Sequence, residues 1–191
     1  LYANDAAAGL REIDRAKELL GSDRSSSWLE VRTVEASLLD KAGRTAEALP
    51  VLRELATSDP TSSRYAFNLA YALDRAHEVA EARQWYEKAL ELDAGNRSAA
   101  LCLVWLHATA PAPTGDVDTG ERLLVKTLRA DRGRTQEVLT MVRDFCLRTK
   151  RLGLVLPALA ELAADESLPA DLRARLTHER SFVQNAVPDD K

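Results

Sequence analysis

Apolar residues recur along this chain at the spacing of helices and not of strands. Between residues 64 and 76, Ala66, Leu69, Ala70 and Leu73 fall at i, i+3, i+4 and i+7. That spacing draws one apolar stripe down one helix face. Residues 79–92 repeat it with Val79, Ala82, Trp85/Tyr86, Ala89 and Leu90/Leu92. Between the two, Ala76-His77-Glu78 must reverse the chain, so 63–96 reads as a helical hairpin. Small residues at Ala70 and Ala82 let its two helices approach closely.

The same pattern continues on both sides in weaker form. Residues 97–131 predict a hairpin with helices near 98–110 and 120–130, joined by an expanded turn, APAPTGDVDTG. Residues 135–166 predict a degenerate one, with Val138, Met141, Val142 and Phe145 on the first stripe and Leu154, Val155, Ala158, Leu159 and Leu162 on the second. Pro169 opens a capping helix over 169–187, with Leu172, Leu176 and Val183 inward and Arg173, Arg175, Glu179 and Arg180 on its polar side. Residues 1–28 predict a partial N-terminal hairpin, in which Ile13, Ala16, Leu19 and Leu20 hold helical spacing. Gly9 there is either a turn between two helices or a weak point within one. Pro50 and Pro157 fall inside predicted second helices and call for kinks or late helix starts.

The hairpins are copies. A 34-residue offset pairs Ala36 with Ala70, Leu39 with Leu73, Glu47 with Glu81, Ala48 with Ala82, Leu52 with Tyr86 and Asp59 with Asp93. Residues 63–96 resemble a tetratricopeptide repeat: Leu69, Ala70 and Leu73 match the core of its first helix, and Ala82, Tyr86 and Ala89 the small-aromatic-small run of its second. Residues 29–62 form a second copy, with Glu35 where an apolar residue is usual but Gly43 at the turn and Pro60 at the end. The resemblance implies an all-α fold, a right-handed α-α superhelix of tandem hairpins over 1–191 ending in a capping helix. Neither helix of such a pair can bury its stripe alone, so each hairpin needs stacked neighbours.

Composition narrows the function. The chain has 191 residues, is 46% hydrophobic and 29% charged, and carries a formal net charge of −4. That is too apolar for disorder, and no apolar run approaches the length of a membrane span. Charge is uneven: residues 1–120 are net −6, 121–151 net +5 and 152–191 net −3. The basic band holds Arg122, Lys126, Arg129, Arg132, Arg134, Arg143, Arg148, Lys150 and Arg151. It reads either as solvated helix faces or as an attractor for an acidic partner. Arg outnumbers Lys 20 to 6, a bias associated with GC-rich, bacterial coding. A start at Leu1, with no initiator Met and no signal segment, suggests a piece of a longer protein.

Candidate chemistry is sparse, and no enzymatic activity, cofactor or metal is expected. Asp116, Asp118 and Glu121 in GDVDTGE only faintly resemble a calcium loop, because Lys126 stands where the distal Glu belongs. The preferred reading is that Asp118 caps a helix and Glu121 completes a capping box. His178-Glu179 lacks the second His of a zincin, and Ser25-Ser26-Ser27 is a linker and helix cap. Cys102 and Cys146 read as packed thiols; Arg143 and Arg148 leave open a lowered pKa for Cys146. Two thiols without evident pairing favour a cytoplasmic location, with a periplasmic one as the alternative.

Recognition by surface is what remains. In tetratricopeptide arrays the first helices line a concave groove that holds an extended peptide or a partner helix. By that resemblance the groove positions are Thr33, Ser37, Asp40 and Lys41, then Arg64, Phe67, Tyr71, Asp74 and Arg75, then Ser98, Leu101 and Trp105, then Leu139 and Arg143. Phe67, Tyr71 and Trp105, flanked by Arg64 and Arg75, form the candidate hot spot; the alternative is that they pack between hairpins or under the loop at 110–119. The carboxylate clamp of chaperone-tail binders is not met. Asn68 takes its middle Asn position, but Thr33, Ser37, Ser98 and Cys102 stand where its Lys, Asn, Lys and Arg belong. The leading expectation is a protein–protein interaction module of a larger, bacterial protein. The alternative is a regulatory or sensor segment that binds a peptide or small ligand and controls an attached effector domain. RNA binding, as in related 35-residue helical repeats, conflicts with the net charge. Oligomeric state and partner identity are not written in these residues.

Overall fold

The computed structural model describes residues 2–21 and 25–187, so part of the expected N-terminal hairpin and the start at Leu1 lie outside the described residues. Among the described residues there are ten helices and no strand. The chain divides into two compact units, residues 1–96 and 97–191.

The first unit contains α1 (Tyr2–Leu20), α2 (Ser26–Lys41), α3 (Thr45–Ser58), α4 (Ser63–Arg75) and α5 (Val79–Leu92), each packed against the next. The 34-residue offset is visible in the backbone. Where α2 turns into α3, Gly43 takes φ 73° and the Arg44 N–H donates to the Leu39 carbonyl at 2.9 Å. Where α4 turns into α5, His77 takes φ 63° and the Glu78 N–H donates to the Leu73 carbonyl at 2.9 Å. Both closures satisfy carbonyls that a helix end leaves bare. Leu69, Ala70, Leu73, Ala82, Tyr86 and Ala89, the stripes of α4 and α5, are all fully buried. Ser63 Oγ donates to the Ala89 carbonyl and receives the Asn96 side-chain N–H, each at 2.9 Å, which ties the start of α4 to the end of its partner.

Gly9 lies inside a single helix, α1. A Cβ there would come 2.9 Å from Leu38 Cδ1, so the glycine marks a close approach of α2 and not a turn. Ile13 is buried, but Leu19, expected on the same stripe, is 83% exposed. Pro50 is accommodated within α3, while Pro157 falls in the first turn of a late-starting α9. Glu35, at the usually apolar position, is buried because it is charge-matched. It accepts from Lys17 Nζ at 2.8 Å and from Arg32, and Arg32 also reaches Glu54 at 2.5 Å.

The second unit contains α6 (Arg97–Thr109), α7 (Val117–Asp131), α8 (Gln136–Thr149), α9 (Val155–Ala164) and α10 (Ala170–Ala186). Phe145, Leu124, Leu128, Leu139, Leu159 and Leu176 are fully buried in one apolar cluster. The close neighbours of α9 are α7 and α10.

Three sequence expectations need correcting here. Helix α7 begins at Val117 and is capped by Asp116, not Asp118: the Asp116 carboxylate accepts from the backbone N–H groups of Asp118 and Thr119 and from the Thr119 hydroxyl. The buried Glu121 closes no capping box; its Oε1 accepts from the Leu154 N–H at 2.8 Å, 33 residues on, and so serves the start of α9. Leu154 itself, expected inward, is 46% exposed.

Asp165 ends α9 and accepts from the Ser167 hydroxyl, the Ser167 N–H and Arg132. These bonds favour the charged form and hold its carboxyl at about 2, against 3.8 ordinarily. A depressed folded-state pKa stabilises above the unfolded value and loses that contribution as pH falls through the folded one. The urea midpoint of the parent should therefore exceed that of Asp165→Asn near neutrality, with the gap closing between roughly pH 4 and pH 2. A gap constant across that range would contradict the assignment.

Candidate functional site

Helices α2 and α4 border a cleft of about 250 Å³ within the first unit. Its floor is apolar, made by Ala36 and Ala72 from the two helices and by Leu52 from α3. Its rim is polar and comes from the exposed turns: Thr33, Ser37 and Asp40 from α2, Asn68 and Tyr71 from α4. The stripe logic explains the division. Ala36, Leu39, Leu69 and Leu73 take the inward positions, and Ser37, Asp40, Asn68 and Tyr71, one or two residues from them, are left beside the cleft.

A contact between α2 and α4 marks each end of the cleft. At one, Arg75 Nη1 donates to Asp40 Oδ1 at 2.7 Å, joining the last turns of α4 and α2. At the other, Thr33 Oγ1 lies 3.5 Å from the Tyr65 hydroxyl. Arg64 lies over the Tyr65 ring at 5.1 Å. From Thr33 to Asp40 the helix rises about 10 Å, the length of roughly three residues of extended peptide. Asn68, Ser37 and Thr33 offer both donors and acceptors, the complement of a peptide backbone.

The expected aromatic pair divides in its roles. The Phe67 and Tyr71 rings stand 6.1 Å apart, but Phe67 is half-buried and also meets the Tyr86 ring of α5 at 6.0 Å. Tyr71 remains 42% exposed beside the cleft. Asp74 turns into its own hairpin: burial pushes its carboxyl above the usual range, opposed by a hydrogen bond from the Tyr86 hydroxyl. Of the expected positions in this unit, Thr33, Ser37, Asp40, Tyr71 and Arg75 are thus gathered at one place. Asn68 belongs with them as a rim residue, although sequence reasoning weighed it only as one part of an unmet clamp.

The remaining candidates belong to the second unit. Trp105 is 39% exposed, with the Arg148 guanidinium over its ring at 5.3 Å. Leu101 is half-buried against the unit's core. Arg143 is committed: its guanidinium donates twice to Glu179, at 2.5 Å each, and lies 4.9 Å from the Phe182 ring. Glu179, expected on the polar side of α10, is 1% exposed. Cys146 is fully buried, and burial first, then the charges of Glu121 and Glu179, push its thiol up to about 12. The alternative of a thiol activated by neighbouring arginines therefore fails, because Arg143 and Arg148 spend their charge elsewhere. Buried His107 accepts the Asp116 N–H on Nδ1 at 3.1 Å, pinning the turn between α6 and α7. Among the described residues, no group of three or more His, Cys, Asp or Glu side chains is placed to hold a metal ion, and no helix is long and apolar enough to cross a membrane.

No curated protein matches this chain. Residues 33–97 match the family model of the tetratricopeptide repeat, a repeat that generally mediates protein–protein interaction. The match spans the cleft, both left-handed turns and the whole α4–α5 hairpin. Over residues 33–97, then, this chain is similar to a tandem pair of tetratricopeptide repeats.

Proposed function

We propose that the chain is a non-catalytic binding module, and that the α2–α4 cleft takes an extended segment of a partner protein. The observation that carries this reading is the cleft itself. An apolar floor of Ala36, Leu52 and Ala72 lies beneath a rim of hydrogen-bonding side chains, with an exposed tyrosine at its edge. A peptide laid there would pair its backbone with Asn68, Ser37 and Thr33, and place one or two apolar side chains against the floor and Tyr71. Tyrosine suits such a position, because it supplies large contact area at low conformational cost. The Arg75–Asp40 pair at the end is solvent-exposed, so either member can exchange its partner for a charge on the bound segment.

The test compares Tyr71→Ala and Asn68→Ala with the parent, using peptides selected from a random library against the intact chain. Tyr71→Ala should weaken binding by ~1–2 kcal/mol while leaving stability within about 1 kcal/mol, because the ring is exposed. Peptides that bind both variants as tightly as the parent would overturn the reading.

A further inference from the structure

We infer that the second unit carries a separate docking groove, between α7 and α9, for an acidic segment of a partner protein bearing bulky apolar side chains. The groove has a volume of about 360 Å³ and is lined by Arg122, Val125, Lys126, Arg129, Leu154 and Pro157. Its position follows from the helix period. On α7, Leu124 and Leu128 point into the core, while Arg122, Lys126 and Arg129 share the opposite face at i, i+4 and i+7. The cations therefore stand in a row spanning about 10 Å along the helix. Leu154 is held beside them because its N–H is bonded to Glu121 of α7, and it leaves nearly half of its surface in water.

Charge complementarity names the occupant. Four residues of the basic band are already engaged outside the groove. Arg132 reaches Asp165, Arg143 reaches Glu179, Arg151 reaches Asp118 and Arg148 covers Trp105. None of the three groove cations is held in a buried ion pair. Arg122 donates to the Thr119 hydroxyl and lies near Asp116. Arg129 shares an exposed ion pair with Glu161 at 2.8 Å, which is weak enough to yield to a new carboxylate. Lys126 has no carboxylate within ion-pair distance among the described residues. A row of cations over Val125, Leu154 and Pro157 asks for carboxylates interspersed with apolar side chains. A nucleic-acid strand fits less well, since the lining offers no aromatic ring for base stacking and the chain as a whole is net negative.

The test uses the full chain and a set of labelled peptides read by fluorescence anisotropy. One group mixes Glu and Asp with Leu and Phe; matched groups replace the acids by Lys or the apolar residues by Ser. An oligouridylate is the nucleic-acid probe. The acidic–apolar peptides should bind best and lose affinity as salt rises. Arg122→Glu/Lys126→Glu should weaken them about tenfold or more, and Leu154→Ser should weaken them at every salt concentration. Both variants keep the core contacts, and unchanged helicity verifies folding; Arg122→Gln/Lys126→Gln serves if the reversal perturbs it. Tyr71→Ala should leave this binding untouched, which separates it from the α2–α4 cleft. Acidic–apolar peptides binding no better than their lysine counterparts would overturn the inference. So would binding indifferent to the charge reversal, or salt-sensitive binding of oligouridylate alone.

Discussion

Replacing Arg143 by alanine is expected to destabilise the second unit by ~3 kcal/mol, because it strands a buried charge. Glu179 is 1% exposed and takes both of its charged hydrogen bonds from this one guanidinium. The value belongs at the low end for broken buried pairs, since the Arg143 side chain keeps 36% of its surface in water. The guanidinium also covers Phe182, so part of the loss is packing. Removing both charges should behave differently. Arg143→Met/Glu179→Leu fills similar volume with no ion to solvate, and should recover most of the loss in urea denaturation. A single variant as stable as the parent would show that Glu179 finds water in solution, and would return Arg143 to the candidate recognition residues.

Phe145→Ala should cost ~3–5 kcal/mol, the largest effect of any single truncation considered, by opening a cavity at the centre of the second unit. The ring is fully buried and lies against Gly120 of α7, where an added Cβ would come 3.0 Å from Phe145 Cε2 and 2.9 Å from His107 Cβ. Gly120 is therefore a packing glycine, not part of a loop. Gly120→Ala alone should destabilise, despite the ~1 kcal/mol that alanine gains over glycine within a helix. With Phe145→Ala already in place, the ring contact is gone and the added methyl occupies part of the void. The two changes should then sum to less than their separate costs, measurable as a coupling in a double-mutant cycle. Strict additivity would mean that the His107 contact alone resists the methyl.

The first unit was legible because its signals are local. Stripes at 3.6-residue spacing, small residues at Ala70 and Ala82, and a glycine at the first turn fix the inward faces of α4 and α5 without long-range information. The positions of Thr33, Ser37, Asp40 and Tyr71 beside a groove came instead from the resemblance to the tetratricopeptide repeat, whose first helices line it. What was not legible depends on partners about one repeat away. Glu179 looks like a surface residue of an amphipathic helix until Arg143 is set beside it, 36 positions earlier. Glu121 looks like the end of a capping box until it meets Leu154, 33 positions later. Asp118 looks like the helix cap until the structure shows Asp116 in that role, its N–H held by His107. A usable signal was nevertheless present. Side-chain pairs between neighbouring helices recur at separations near the repeat length, as in Arg75 with Asp40, Arg97 with Asp131, Arg129 with Glu161 and Arg132 with Asp165. Opposite charges one period apart mark hairpin stacking, because each repeat touches mainly its neighbours.

The central claim is that a partner segment lies in the α2–α4 cleft, and photocrosslinking from position 71 tests it most directly. A benzoylphenylalanine in place of Tyr71 would sit at the cleft rim, and the same group in place of the exposed Gln84 on α5 would sit outside the lining. With a library-selected peptide bound, the account predicts crosslinking from position 71 that an excess of unlabelled peptide abolishes, and little from position 84. Equal crosslinking from both positions, or from position 84 alone, would place recognition elsewhere on the repeat and contradict the account.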